Sequence, residues 1–459
     1  MKGLCFKNKN MCCFLLFLLS FSLYAQQDVE ASRRDTILYG TETEIASLIQ
    51  SLRTENADYL DDELIALVND TRNQRILNGV FGFFGEREKS GLEERAIRAI
   101  IEREDEANET VLSAVDYLGR VKSSQAVPEI MELLDTEERR FLNTAFRALG
   151  RASSAGDSDL TDTAADFLID FYENRNPGDD NRREVITAIG ATGSKKGLPL
   201  LTEIAANADE RVPLRVAALG AISMIGDESG LEAVLGCITT NDPNVRSAAV
   251  AALGPFSGEA VDKAILEAFR DSYYRTRFAA AQASRERKLA SAVPFLKFRA
   301  ERDEVPNVRD EAVRALGAIA NDESNAVLEG LFTERKTSDR IRIIAAEMLM
   351  KNESGKNFSK LIIELDDAKT RNQTVLYNGL LKVIGETVIA GDKTDMENIT
   401  RRFLLSGGIV EKLYGLDMAA NNGLAMLSKE ITPLAGDRNE SLARRARRTA
   451  QTLGIDLPQ

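Results

Sequence analysis

An all-α solenoid of about twelve stacked two-helix repeats is the fold this sequence predicts. Three observations carry the prediction. The phrase Asn-Val-Arg-Ser-Ala-Ala-Val-Ala-Ala-Leu-Gly, from Asn244 to Gly254, returns with few changes from Asn307 to Gly317. Its phase extends through Arg215, Arg246, Arg277, Arg309 and Arg342, spaced 31, 31, 32 and 33 residues apart. Eight positions after each arginine comes a closing slot, filled by Ser223, Gly254, Arg285, Gly317 and Met350. The slot continues upstream as Gly85, Gly119, Gly150 and Gly190, and downstream as Gly385 and Gly454, with a degenerate unit near Ala419 and Ala420. Prolines supply the third observation, because a proline inside a helix costs about 3 kcal/mol. Pro213, Pro243 and Pro306 fall at the start of first helices, whereas Pro128, Pro199 and Pro294 open second ones.

Taken in chain order, residues 1–25 differ in kind from the rest. Lys2, Lys7 and Lys9 precede an apolar run of thirteen residues, Met11 to Leu23, and Ala25 stands before Gln26 and Gln27. This is the pattern of a secretory signal peptide, and thirteen apolar residues fall short of the roughly 20 that span a bilayer. Cys12 and Cys13 open the run rather than follow it, which argues against lipid attachment. Residues 26–69 read as an N-terminal arm, Ser32 to Tyr39, and a capping helix, Thr43 to Leu52. Residues 70–459 form the repeat region, one elongated domain.

Within one repeat, Asp242 caps the first helix, Pro243 takes its first turn, and Val245, Ala248, Ala249, Ala252 and Leu253 recur at helical spacing. Gly254 is expected to end that helix in the left-handed conformation. A second helix follows from Glu259 to Phe269. The 40-residue step between Gly150 and Gly190 is expected to hold an extended loop at Asn174 to Arg183, and Ser441 to Leu453 to be the last helix.

The V-R-x-x-A-A-x-A-L-G phrase, followed by a short loop and A-V-P-x-L, resembles the HEAT family. In particular it is similar to the short HEAT-like repeats of phycobilin lyase-type proteins, here in an exported bacterial chain. Val245 to Gly254 and Val308 to Gly317 match best; Arg285 and Met350 depart by losing the closing glycine. The resemblance implies antiparallel helix pairs, a right-handed superhelix and an inner surface that binds macromolecules. Tetratricopeptide and leucine-rich patterns fit less well, for want of the first's aromatic signature and the second's strand phrases.

Charge and residue inventory exclude several functions. Loss of the signal segment removes three lysines and no acid, so the formal charge moves from −13 to −16, which disfavours nucleic acid. With no histidine in the chain, His-based metal sites and Ser-His-Asp triads are absent, as are the paired His-Glu motifs of HEAT-like iron hydroxylases. No nucleotide loop or converging carboxylate pair stands out, and neither cofactor, metal nor catalytic residue is expected. Once the signal is removed Cys237 is the one cysteine left, so no internal disulfide can form.

Two sets of residues invite a role. The phased arginines, each with an acid shortly before it (Asp209, Asp242, Asp271, Asp303, Asp339), are expected to form a structural ladder between repeats. The stretch Arg270 to Arg302 carries nine basic residues against three acids, interleaved with Tyr273, Tyr274, Phe278, Phe295 and Phe298. Arg275, Arg277, Arg285, Arg287, Lys288, Lys297 and Arg299 are its candidate partner-binding residues. A second basic cluster, Arg438, Arg444, Arg445, Arg447 and Arg448, suits a charged terminal cap. The expectation is a non-enzymatic scaffold, exported to the periplasm or secreted, that binds another protein of the cell envelope, with no membrane span after signal cleavage. An adhesin-like binder of an anionic polymer and a bilin lyase are the alternatives.

Overall fold

The computed structural model describes residues 29–175 and 177–457, and among them there are helices and no strands. The signal-peptide segment, residues 1–25, lies outside the described residues. So do Gln26 and Gln27. No helix of the described chain is long and apolar enough to cross a membrane.

The repeat region is an α-solenoid: eleven helix pairs begin at Gln74, Asn108, Arg139, Asp179, Val212, Pro243, Tyr274, Pro306, Asp339, Thr374 and Ile409, and Glu440–Leu453 closes the series. The chain divides into two compact units, with the boundary between Ala233 and Val234. Inside each unit, successive first helices pack side by side and the second helices pack chiefly on the first helix of the following pair. The core is made of Ala, Leu, Ile and Val at helical spacing; Ala145, Leu149, Ala218, Leu219, Ala312 and Leu316 are fully enclosed.

Local chemistry explains the helix starts. Asp242 accepts from Asn244 N at 2.8 Å and Val245 N at 3.2 Å, capping Pro243–Ala251. Pro128, Pro199 and Pro294 lie in the first turns of Val127–Asp135, Leu198–Ala206 and Val293–Arg302, each entered through a 3₁₀ turn.

Four expectations need correction. The arm is helical over 29–39, and Arg33 ties it down with two 2.7 Å bonds to Glu55 and one of 2.6 Å to the Tyr59 hydroxyl. The 40-residue step is taken up by the longer helix Ser158–Asn174, so the loop before Asp179 is short. In the ninth pair Met350 does not mark the break: Asp339–Thr370 is two helices joined at a kink at Glu353, three residues later.

The closing glycines, finally, do not end helices in the left-handed region, Gly454 excepted. They let neighbouring helices touch. A methyl at Gly119 would lie 2.7 Å from Ala148 Cα, at Gly150 3.0 Å from Ala188 Cα, and at Gly190 2.5 Å from Ala221 Cα. The left-handed residue comes three positions later, as Lys122, Gly193, Lys288 or Ala320.

Candidate functional site: a basic aromatic cleft

Helix Val293–Arg302 buries Val293, Leu296 and Ala300 on one face. That spacing turns Phe295, Phe298, Arg299 and Arg302 away from the core. With Arg270 from the preceding pair and Pro294, the first three of them line a cleft of about 400 Å³. Phe295 forms its floor, stacked on the buried ring of Phe269 with centroids 5.8 Å apart and planes 23° apart. The Arg270 guanidinium lies 5.2 Å above Phe295; those of Arg299 and Arg302 lie 5.2 and 5.7 Å from the Phe298 centroid. Phe298 is 48% exposed, a large apolar surface left to solvent and framed by cations. Beside it, Tyr274 is 37% exposed, and its hydroxyl accepts from Arg275 Nε at 3.2 Å.

The candidate cations divide by what they already hold. Arg277 is enclosed and spent on Asp303, so it offers nothing to a partner. Arg287 pairs with Asp262 at 2.6 Å and donates to the Phe256 carbonyl. Arg285 fills the slot that other repeats give to glycine and reaches Glu311 at 3.2 Å, while burial pushes that carboxyl above its ordinary range against the pull of Arg285. Arg299 lies 3.3 Å from Asp303, and burial holds its guanidinium below its ordinary value. Arg275, Lys288 and Lys297 are exposed and form no ion pair among the described residues. The cleft therefore unites Arg299 of the sequence candidates with Arg270, Pro294, Phe295 and Phe298. Pro294 carried no sequence signal beyond its helix-starting phase.

Two phased arginines, Arg246 and Arg277, make the same set of bonds. Arg246 grips Asp271 with Nε at 2.7 Å and Nη2 at 3.0 Å, and its Nη1 donates to the carbonyls of Thr240 and Asn241. Arg277 repeats this on Asp303, at 2.6 and 2.8 Å, and on the carbonyls of Asp271 and Ser272. Burial pushes both carboxyls up, yet the guanidinium and a backbone N–H outweigh it and hold each below its usual range. The acid thus belongs to the next repeat, six residues before that repeat's own arginine. Arg215 donates Nε to the Ala205 carbonyl, and Arg342 donates to Phe332 O at 2.8 Å and to Glu364 at 2.6 Å. Asp242 and Asp339 serve their own helix starts. Arg309 stands apart. In the terminal cluster, Arg444 and Arg445 pair with Glu440 and Asp417, and Arg447 donates to the Ala435 carbonyl.

Among the described residues, no group of three or more His, Cys, Asp or Glu is placed to hold a metal ion. Cys237 is buried.

The sequence profile of the spirochaete HEAT repeat protein family matches residues 37–449. Among solved structures, that of Kap121p is similar over 92% of this chain and 53% of its own, at 12% identity and a TM-score of 0.45. Importin beta is similar over 99% of this chain and 72% of its own, at 12% identity and a TM-score of 0.44. Human deoxyhypusine hydroxylase covers 60% of this chain and 98% of its own, at 18% identity and a TM-score of 0.26. This chain spans about half the length of the Kap121p chains it matches. No curated protein sequence matches it.

Proposed function

The chain belongs to the spirochaete HEAT repeat protein family, and on that premise we propose that it is a non-enzymatic scaffold which holds an acidic segment of another protein in the cleft around Phe295 and Phe298. The observation that carries this reading is the exposed Phe298 between the Arg299 and Arg302 guanidiniums in a chain whose net charge is −13. An apolar floor with a cationic rim matches a peptide that offers an apolar side chain flanked by carboxylates. It suits an anionic polymer less, since uniform charge gains nothing from the ring of Phe295.

Export to the periplasm or beyond belongs to the same proposal and rests on Lys2, Lys7, Lys9 and the apolar run to Leu23. The intact mass of the protein recovered from cells tests it: the expected first residue is Gln26, and retention of Met1 refutes export by cleavage. For the cleft, a photo-crosslinking side chain at Phe298 in living cells is expected to give one discrete protein adduct, lost when Lys297→Glu and Arg302→Glu are added. An adduct indifferent to the charge reversal would refute the acidic partner.

A further inference from the structure

The arginine ladder lacks its carboxylate at two positions: at Arg215, where Thr240 stands six residues before Arg246, Nε turns to the Ala205 carbonyl instead, and at Arg309 no such substitute is present among the described residues. Six residues before Arg277 and Arg309 stand Asp271 and Asp303, the carboxylates that Arg246 and Arg277 grip; six residues before Arg342, where the acceptor for Arg309 should be, stands Lys336. Arg309 accordingly makes neither the carboxylate nor the carbonyl bonds of its two predecessors. Its Nε is buried without a hydrogen-bond partner, although the same atom in Arg246 and Arg277 donates at 2.7 and 2.6 Å. Arg309 is half-buried and lines a cleft, and this N–H has no protein partner among the described residues.

The place of the missing carboxylate is open. A cleft of about 260 Å³ is lined by Arg302, Arg309, Lys336, Thr337 and Ser338, together with Glu301 and Glu334. No carboxylate oxygen of those two acids comes within 4.0 Å of the three cations. Ser338, at the start of Asp339–Thr370, makes no side-chain capping bond, so its hydroxyl is also unspent. Arg302 alone is shared with the aromatic cleft, where its guanidinium lies 5.7 Å from the Phe298 centroid; Arg309, Lys336, Thr337 and Ser338 take no part there.

We infer that this cleft is an oxyanion site, in which a carboxylate or phosphate group supplied from outside the chain completes the rung between Arg309 and Lys336. The repeat itself sets the recognition. Where the chain provides the anion, two oxygens meet Nε and Nη2 of one arginine at 2.6 to 3.0 Å; where it provides Lys336 instead, a third cationic donor faces the same position. Carboxylate and phosphate both offer the paired oxygens that a guanidinium fork accepts.

Calorimetric melting of the full chain in sodium phosphate or sodium acetate, against sodium chloride at equal ionic strength, tests the site. A ligand that binds the native state raises Tm along a saturating curve, unlike the general stabilisation by kosmotropic salts, which every variant shares. The wild type is expected to show the saturating rise, stronger in phosphate if the natural group is a phosphoryl and stronger in acetate if it is a carboxylate. Arg309→Gln is expected to lose it. Lys336→Asp is expected to melt higher in chloride and to lose the saturating rise, because its own carboxylate then fills the place. A wild-type response no different from chloride, or a saturating rise kept by either variant, overturns the site; if Lys336→Asp fails to fold, Arg309→Gln decides alone.

Discussion

Replacing Gly190 by Ala sets a methyl 2.5 Å from Ala221 Cα and 2.6 Å from Ala221 Cβ, distances at which backbone rather than a pliant side chain must give way. Overpacking of this kind costs about 1–3 kcal/mol, and contact with backbone puts Gly190→Ala toward the upper end. Loss of glycine in a helix returns at most about 1 kcal/mol. The net expectation is a destabilisation of about 1–2 kcal/mol by this balance. Gly220 is the control. It lies inside helix Val212–Ile225 in the same unit, and a methyl there meets nothing within 4 Å, so Gly220→Ala should stabilise by about 1 kcal/mol. Urea unfolding of the two variants, followed by far-UV circular dichroism, should therefore move the midpoint in opposite directions. If both move the same way, the closing glycine is a matter of helix propensity and not of close approach, and the packing account fails.

Three other outcomes follow from particular contacts. Asp303→Ala removes the carboxylate from an enclosed pair and strands Arg277, at a cost of about 3–5 kcal/mol in the same unfolding assay. Because Asp303 is held below its usual range in the folded chain, its contribution is complete above the unfolded value, about 3.9, and is lost as pH falls below it; Asp303→Asn should flatten that acid limb of stability. Tyr117→Phe leaves the Leu92 N–H and the Lys89 carbonyl without the hydroxyl that each meets at 3.1 Å, so it should destabilise by about 1–3 kcal/mol, read as a lower melting temperature.

The architecture was legible because its signals are local. Apolar spacing in Val245 to Leu253, the cap at Asp242 and the prolines at 128, 199 and 294 act within a turn or two of where they stand. The closing glycine misled because a glycine three residues from a helix end looks the same whether it bends the chain or admits a neighbour, and the neighbour is some 30 residues away. The true left-handed positions were hidden for the opposite reason: Lys122, Lys288 and Ala320 adopt that conformation without a glycine to mark it. The ladder was half visible. Five acids precede five arginines, but the accepting ones sit six residues ahead of the next repeat's arginine, whereas Asp242 at four and Asp339 at three are used by their own helices. Of the cleft, the basic and aromatic composition could be read, and its geometry could not. Phe295 lies on Phe269, from the preceding pair, and no spacing within Val293–Arg302 announces that contact.

The departures from the repeat fall close together. Arg285 in place of the closing glycine, Phe298 left to solvent and Lys336 in place of the accepting acid all lie in two consecutive helix pairs, which begin at Tyr274 and Pro306. Each sacrifices something the regular unit possesses: a close helix approach, a covered ring, a paired guanidinium. In a stacked array a unit packs only on its neighbours, so a local deficit is not made good by a distant part of the core. Arg246 with Asp271 and Arg277 with Asp303 keep the frame rigid on one side of these faults. A rigid frame carrying concentrated deficits is what a binding surface requires, because bound groups that restore the missing contacts gain affinity from faults already present in the free chain.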